Sequence, residues 1–276
     1  MTRRIDSANA EYQVLRALVS NRQTRNRENA FIVEGVRNVN AAIERGWTVR
    51  TVLTRDAGAP SAWAVDTVRR IGSDTVVRVE PSLFDALTVR AEPPELLLVV
   101  EKQHPSVDRL AVDEGFIATV FDRPSNPGNI GTMVRTCDAL GSAALLVLGH
   151  GADPYDPQSI RASTGSFFAV PTIDVASADA LIAWARANDV ALIATDEAGD
   201  DIGAQRFAGP VAVLMGNETK GLSRALLDGA DRVVAIPMIG TATSLNVAAA
   251  HAIVLHEIAR SRRGDALPRF DATESA

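Results

Sequence analysis

Four almost uninterrupted apolar runs in the second half of the chain most constrain its fold. They are FIATVFD (116–122), AALLVLG (143–149), VALIATD (190–196) and GPVAVLMG (209–216). Runs that are apolar at every position are typical of strands covered by helices on both faces. Segments with helical spacing, such as ADALIAWARAND, lie between them, and this alternation predicts βαβ units. We therefore expect an α/β fold with a parallel sheet over residues 115–263.

The first half alternates in the same way but more weakly. AFIVEGVRNVNAAIERG (30–46) predicts a strand followed by a helix that ends at Gly46, and VRTVLTR, DTVVRVE and PELLLVVEKQ predict further strands. We expect a small α/β domain over residues 1–105, a polar linker over 106–114 and a frayed polar tail over 264–276.

Cysteine and histidine usage argues against a metal centre. Cys137 is the only cysteine, so an intrachain disulfide and a Cys-rich zinc site are excluded, and burial as an inert thiol is favoured. His251 and His256 are five residues apart and do not share a helix face, so we expect no metal site. No run approaches the roughly 18 apolar residues of a membrane span, and a cytoplasmic location is expected.

Charge is unevenly distributed along the chain, which carries −6 overall. Residues 1–50 contain nine arginines and five acidic residues, a net charge of +4, which leaves −10 for residues 51–276. Within this segment SNRQTRNREN (20–29) is polar and arginine-rich. We interpret it as an exposed loop in which Arg22, Arg25 and Arg27 dock RNA, because arginine matches phosphate geometry. A merely solvated loop is the alternative.

The turn after FIATVFD is the first of three unusual strand-to-helix turns. In NPGNIGTMVR, Pro127 and Gly128 form the turn, Asn129 is a candidate helix cap, and Arg135 follows on the helix. The glycines do not form a dinucleotide fingerprint, and no lysine stands where a phosphate-binding P-loop needs one. An ordinary surface ion pair is the alternative for Arg135.

Two more such turns follow. LMGNETKGLS places Gly216 and Glu218 after a strand, where glycine permits close backbone approach to a ligand. In IPMIGTATSLNVAAAHAIV, Ser244 and Asn246 begin a helix of small and apolar residues that we expect to be buried in a core or against a partner subunit. For Ser244 a simple N-cap is the alternative.

Together and in this order, NPGNIGTMVRTCDALG, LMGNETKGLS and IPMIGTATSLNVAAAHAIVLHE resemble the three signature motifs of the SpoU (TrmH-like) RNA ribose 2'-O-methyltransferases. SIRASTGSFFAVP is also similar to that family, and the first half is similar to the substrate-binding domain that many members carry. FDRPSNPGNIG, ADPYDPQSIRASTGS and MGNETKGLS are most similar to the avilamycin-resistance methyltransferases, which act on a uridine of large-subunit ribosomal RNA.

The resemblance implies features that spacing does not show. It implies a C-terminal deep trefoil knot of the SPOUT type, a homodimer, and S-adenosylmethionine as methyl donor. It implies methylation of a ribose 2'-hydroxyl in 23S ribosomal RNA, and a role in antibiotic resistance. The alternatives are a transfer RNA methyltransferase and a non-catalytic RNA-binding protein with the same fold.

The same resemblance assigns site residues by motif position. The catalytic set is Asn129, Arg135, Glu218, Ser244 and Asn246. The cofactor set is Leu214, Met215, Gly216, Asn217, Ile236, Met238, Ser244 and Leu245. The RNA-binding set comes instead from the arginine-rich segment, with Arg22, Arg25 and Arg27, and is joined by Arg161.

Overall fold

The computed structural model describes residues 3–88 and 92–263. The front part of the chain forms a five-stranded mixed sheet in the order β1-β4-β3-β5-β2. β1, β3 and β4 are parallel, whereas β5 is antiparallel to both β2 and β3. The strands are β1 (Arg3–Ile5), β2 (Ala30–Glu34), β3 (Val49–Arg55), β4 (Val76–Val79) and β5 (Leu96–Glu101).

Five helices accompany this sheet in the described part of the chain, and one of them replaces a predicted loop. They are α1 (Ala10–Ser20), α2 (Arg22–Glu28), α3 (Val36–Glu44), α4 (Ala62–Ile71) and α5 (Pro81–Asp85). The prediction of a loop over residues 20–29 is wrong, because α2 occupies most of it. Asn21 caps α2 by accepting hydrogen bonds from the backbone N–H groups of Gln23 and Thr24.

The second half forms a six-stranded sheet in the order β11-β9-β10-β6-β7-β8, and all five pairings are parallel. The predicted α/β fold with a parallel sheet is therefore confirmed. The strands are β6 (Ile117–Asp122), β7 (Leu145–Leu148), β8 (Thr172–Val175), β9 (Ala191–Asp201), β10 (Val211–Met215) and β11 (Arg232–Ala235). The helices are α6 (Pro127–Leu140), α7 (Pro157–Ser163), α8 (Ala178–Ala187), α9 (Arg224–Gly229) and α10 (Val247–Arg263).

Both faces of the second sheet are buried, and this explains its apolar strands. Along β6, Ile117 and Phe121 face one core while Ala118 and Val120 face the other. The strand register brings Asp122 beside Leu148 and Met215 beside Phe121. The loops that follow β6, β7 and β10 therefore leave the same edge of the sheet, where parallel sheets bind ligands.

The front sheet packs on the second half through a cluster of five aromatic residues. Phe31 of β2 lies at its centre, with its ring centroid 4.9 Å from that of Tyr155. Trp47 donates a hydrogen bond from Nε1 to the carbonyl oxygen of Phe168, and Phe167 packs against the same rings. The segment SIRASTGSFFAVP thus supplies an anchoring surface for the front sheet.

A buried ion pair joins the two halves beside this cluster. Arg25 of α2 is 2% exposed and donates from Nε to Asp153 at 2.7 Å. It also donates to the carbonyl oxygens of Leu18 and Val19. The prediction that Arg25 docks RNA is wrong for this geometry, because its guanidinium is occupied inside the protein.

Three expectations stay predictions. The first is the domain division at residues 105 and 115, which falls between the two sheets, and the second is the trefoil knot. The third is the frayed tail over 264–276, which lies outside the described residues. Within residues 3–88 and 92–263, no helix is long and apolar enough to cross a membrane.

Candidate functional site

Glu218 is the hub of a hydrogen-bond network that ties together two of the three loops. It follows β10 and accepts hydrogen bonds from the backbone N–H groups of Ser125 (2.9 Å) and Asn126 (3.0 Å). The Ser125 hydroxyl and the Asn129 side-chain amide, the latter at 3.0 Å, also donate to it. Its carboxylate therefore fixes the entry to α6.

These donors change the protonation behaviour of Glu218. Partial burial alone would raise the pKa, but hydrogen bonds from Ser125 and Asn129 outweigh it and lower the pKa from 4.5 to about 2. The group is therefore a permanently charged acceptor at neutral pH. Such a carboxylate is suited to holding a loop and not to taking up a proton.

The third loop joins the network through α10. Asn246 donates from Nδ2 to Oδ1 of Asn129 at 3.2 Å, and its own Oδ1 accepts from the N–H of Ala248 at 2.9 Å. Asn246 is therefore the cap of α10, and the alternative of Ser244 as cap is wrong. Ser244 is exposed beside it.

The first turn also differs from its prediction in one respect. Asn126, not Asn129, caps α6, since its Oδ1 accepts from the N–H of Gly128 at 2.8 Å. With Pro127 at the first helical position, the helix begins three residues earlier than a cap at Asn129 predicts. Asn129 is thereby free to bridge Glu218 and Asn246.

A cavity of about 440 Å³ opens between β9, β10, β11 and the start of α10. Seven of the eight residues assigned to the cofactor line it: Met215, Gly216, Asn217, Ile236, Met238, Ser244 and Leu245. Leu214 does not. Since side chains alternate along a strand, Leu214 faces the opposite core while Met215 faces the cavity.

The cavity is acidic. Asp196, Glu197 and Glu218 are its only charged lining residues within the part of the chain that the structure describes. Asp196 accepts a hydrogen bond from the N–H of Ala198, whereas Glu197 is exposed. A wall of this kind favours a cationic ligand with an apolar body.

Gly216 lets two loop segments touch at the floor of this cavity. A Cβ at Gly216 would lie 2.4 Å from the carbonyl carbon of Gly221 and from the nitrogen of Leu222. Asn217 and Gly221 pair through two backbone hydrogen bonds across this contact. The loop over residues 216–221 is thus closed tightly, as its glycines predict.

A second set of contacts binds this loop to the end of β6. Asn217 donates from Nδ2 to the carbonyl oxygen of Arg123 at 2.6 Å. Asp122 is buried, accepts two hydrogen bonds from the Arg123 guanidinium, and accepts a third from the N–H of Ser223. The ends of β6 and β10 are therefore held in one fixed arrangement.

Arg135 stands apart from this network. It lies on α6, is exposed, and makes no hydrogen bond or ion pair with any other described residue. The alternative of a surface ion pair is therefore not met. A guanidinium without an internal partner is available to an anionic ligand.

The remaining predicted RNA contacts differ in exposure. Arg22 is half-buried and donates to the carbonyl oxygen of Gly151 at 2.9 Å. Arg27 is exposed and pairs with its neighbour Glu28. Arg161 is exposed on α7, beside a shallow depression that also contains Gln158. The structure does not bring these three side chains into the network around Glu218.

Cys137 and His251 are titratable groups that lie buried in the core. Cys137 is fully buried, which raises the pKa of its thiol to about 11 and keeps it unreactive. His251 of α10 contacts the Thr119 hydroxyl at 2.9 Å, and burial lowers its pKa to about 3. Among residues 3–88 and 92–263, no group of three or more His, Cys, Asp or Glu is placed to hold a metal ion.

Sequence reasoning missed several residues of this site. Ser125 and Asn126 act largely through backbone N–H groups, which leave no sequence signature. Asp122 was predicted only as the end of a strand, and Arg123 only as part of the turn after it. The charges of Asp196 and Glu197, which lie in β9 just beyond its buried residues 192–194, were the one available signal, because charged residues are unusual directly after a buried run.

Comparison with known families gives the same assignment for both halves. The model of the "SpoU rRNA Methylase family" matches residues 117–256, and that of the "SpoU L30e-like domain" matches residues 9–98.

Similar proteins match over nearly the whole chain. A 23S rRNA (uridine(2479)-2'-O)-methyltransferase of Streptomyces viridochromogenes is 42% identical, covering 94% of this chain and 93% of the relative. The 23S rRNA (guanosine(2553)-2'-O)-methyltransferase RlmP of Bacillus subtilis is 29% identical, covering 86% and 91%. The crystal structure of the SpoU methyltransferase AviRb from S. viridochromogenes, in complex with the cofactor AdoMet, superposes with a TM-score of 0.87 over 92% of this chain and 98% of that chain.

Proposed function

Because the chain belongs to the SpoU rRNA methylase family, we propose that it methylates a ribose 2'-hydroxyl of 23S ribosomal RNA with S-adenosylmethionine as donor. The observation that carries the proposal is the network Asn246–Asn129–Glu218–Ser125, which gathers three loops beside an acidic cavity. The relatives named above act on ribose hydroxyls of 23S rRNA by their names, and this supports the substrate.

The cavity fits the proposed cofactor. S-adenosylmethionine carries a positive sulfonium and an adenosine, and the cavity offers carboxylates together with apolar side chains such as Ile236 and Leu245. The tight loop at Gly216 exposes backbone groups that suit an adenosine. Bound there, the cofactor would supply an activated methyl group. Holding this donor and the hydroxyl in line supplies much of the rate.

Arg135 is the residue that we assign to the reacting ribose. A guanidinium is a poor general base, because its pKa exceeds about 12 in general. Its role is to grip the phosphate beside the ribose and to stabilise the negative charge that develops on the oxygen. Ser244, exposed at the mouth of the cavity, donates or accepts a hydrogen bond at the substrate hydroxyl.

Asn129, Glu218 and Asn246 are positioning residues in this proposal. Their side chains are already paired with one another, so they hold the α6 and α10 ends on either side of the ribose. The seven residues that line the cavity keep their proposed role of contacting S-adenosylmethionine. Leu214 contributes through its carbonyl oxygen, which accepts a hydrogen bond from the Thr195 hydroxyl at the cavity wall.

The protein assembles as a homodimer in this proposal. Met238 and Leu245 in the third loop are large exposed apolar residues, and Ile239 is fully exposed. On α10, Ala249, Ile253 and His256 form an exposed stripe at helical spacing. Exposed apolar side chains that are contiguous with a site mark an interface. Light scattering during gel filtration should give twice the chain mass.

The RNA pool that accepts methyl groups tests the substrate. The purified protein is incubated with labelled S-adenosylmethionine and, separately, with 23S RNA, 16S RNA and total transfer RNA. Label confined to 23S RNA supports the proposal. Because ribosomal RNA resides in the cytoplasm, we also propose that the protein is cytoplasmic. Label only in transfer RNA would keep the chemistry and overturn the substrate. RNA binding without transfer would favour a non-catalytic binding protein.

The biological role follows from the modified nucleotide. If the modified ribose lies at a drug-binding site of the large subunit, expression of the protein should raise the inhibitory concentration of avilamycin for a susceptible host. An Arg135→Ala variant expressed at the same level is the control.

A further inference from the structure

A second depression, of about 500 Å³, lies beside the acidic cavity and has the opposite charge. We name it the cationic pocket and define it by Arg123, Ser125, His150, Gly151, Asn217 and Lys220. Asn217 lines both the cationic pocket and the acidic cavity. The loop over residues 216–221 is therefore the wall between the two.

Close backbone contacts hold the walls of the cationic pocket in place. A Cβ at Gly151 would lie 2.3 Å from the carbonyl oxygen of Pro124, and a Cβ at Gly149 would lie 2.9 Å from Cγ of Arg123. Ala152 donates from its N–H to the same Pro124 oxygen at 2.6 Å. The loop that carries His150 is thus pressed against the loop after β6.

Arg22 of α2 contacts one of the residues that line the pocket, although it does not line the pocket itself. Its Nη1 donates to the carbonyl oxygen of Gly151, which lies next to His150. Arg22 makes no ion pair with an acidic residue in the described part of the chain. The guanidinium of Arg22, on a helix beside the front sheet, therefore lies next to a pocket in the second half.

The backbone of Arg123 is unusual at this position. Its φ is 50°, in the left-handed region that non-glycine residues adopt at a cost. The carbonyl oxygen is held by Asn217, while Nε and Nη2 are held by Asp122. This leaves Nη1 of Arg123 without a partner among the residues described.

Arg123 and Lys220 line the pocket, and no Asp or Glu of the described part of the chain does. Lys220 and His150 are both exposed, and neither side chain has a partner within residues 3–88 and 92–263. The nearby carboxylates already accept several hydrogen bonds, Asp122 from Arg123 and Ser223 and Glu218 from Ser125, Asn126 and Asn129.

From this arrangement we propose that the cationic pocket binds a backbone phosphate of the RNA substrate, with Lys220 as its principal contact. The inference rests on the proposed function and deepens it. Since one loop separates the two pockets, the bound phosphate would belong to a nucleotide adjoining the one that is methylated. Lysine and unpaired arginine N–H groups are common contacts of RNA phosphates.

Lys220→Gln tests the proposal, with Arg224→Gln as the matched control. Arg224 is four residues further on, exposed, and paired with Asp228 outside the pocket, so the control removes the same charge nearby. We would measure binding of 23S RNA as a function of salt, and binding of S-adenosylmethionine by calorimetry. Thermal unfolding of each variant checks that it folds.

The expected result is a loss of about tenfold in RNA affinity for Lys220→Gln, with the salt slope reduced by about 1. S-adenosylmethionine affinity should stay unchanged, and Arg224→Gln should match the unsubstituted protein in every measurement. An unchanged RNA affinity and slope in Lys220→Gln would overturn the proposal, as would an equal loss in the control. Methyl transfer by the unsubstituted protein is scored separately, so failure of the pocket is distinguished from failure of the proposed function.

Discussion

Asn246 donates a hydrogen bond to Asn129 across 117 positions of sequence, at 3.2 Å. The contact joins the start of α10 to the first turn of α6, and Asn129 in turn donates a hydrogen bond to Glu218. Three loops that are distant in the chain are thereby held as one unit. The geometry of the site depends on this unit more than on any single residue.

Replacement of Glu218 by Gln should destabilise the protein and reduce transfer. The N–H groups of Ser125 and Asn126 donate to different oxygens of Glu218, so an amide would place a donor against one of them, which costs about 1–3 kcal/mol per unsatisfied group. Urea unfolding at neutral pH measures the loss. Glu197→Gln is the control, since Glu197 is an exposed cavity carboxylate, and it should keep full stability.

The same carboxylate predicts how stability depends on pH. The folded-state pKa of Glu218 is about 2, below its ordinary 4.5, so its contribution is complete above pH 4.5 and is lost as the pH falls toward 2. The difference in unfolding free energy between the unsubstituted protein and Glu218→Gln should stay constant from pH 7 to pH 5 and shrink below pH 4.5. A difference that grew on acidification would contradict this assignment.

Arg25 should behave as a structural residue and not as an RNA contact. Arg25→Ala leaves Asp153 buried without its partner, and breaking a buried pair costs about 3–5 kcal/mol. Arg27→Ala, on the same helix but exposed, should change unfolding free energy by less than about 0.5 kcal/mol. Equal effects of the two substitutions on stability would show that the pair does not join the two halves.

Gly216 should not tolerate a methyl group. Gly216→Ala would drive a Cβ into the Gly221 and Leu222 backbone, which must open the loop that floors the acidic cavity. We expect S-adenosylmethionine binding by calorimetry to fall at least about tenfold, a loss of about 1.4 kcal/mol. Gly240→Ala is the control, because no atom lies within 4 Å of a Cβ there. Normal binding by Gly216→Ala would refute the placement of the cofactor on this floor.

The acidic wall should distinguish the cofactor from its product. S-adenosylmethionine carries a sulfonium charge that S-adenosylhomocysteine lacks, and Asp196 and Glu197 face the cavity without a cationic partner among the described residues. The double substitution Asp196→Asn and Glu197→Gln should weaken binding of S-adenosylmethionine about three- to tenfold and affect the product less.

Calorimetry with both ligands measures this preference. Asp179→Asn, an exposed acid on α8, is the control for net charge and should leave both affinities unchanged. An equal weakening of the two ligands would argue that the acids only hold the loop.

The sequence was informative where apolar pattern decides structure. FIATVFD and GPVAVLMG became β6 and β10, side by side at the centre of the parallel sheet. β1 and β8 escaped prediction because RRI has one apolar residue and TIDV has two, whereas the similarly short β4 and β7 have three and four. α2 escaped it because RQTRNRE has no apolar stripe, and its burial depends on Asp153, far along the chain.

In the site, too, some features could be predicted from the sequence and others could not. Glu218, Asn129 and Asn246 could be named from motifs, since their side chains carry the contacts. Asn126 and not Asn129 caps α6, and Asn246 and not Ser244 caps α10. The sequence did not distinguish them because a cap is defined by where the helix starts to within one residue. The cationic pocket could not be predicted, since it combines three loops.

The position of the transferred methyl group tests the central claim most directly. After incubation with labelled S-adenosylmethionine and 23S RNA, the RNA is digested to nucleosides and the labelled product is identified by chromatography. We expect a single 2'-O-methyl nucleoside, resistant to alkaline cleavage at its linkage, and its loss in Arg135→Ala and Arg135→Lys. Label on a base, or undiminished transfer by both Arg135 variants, would contradict it.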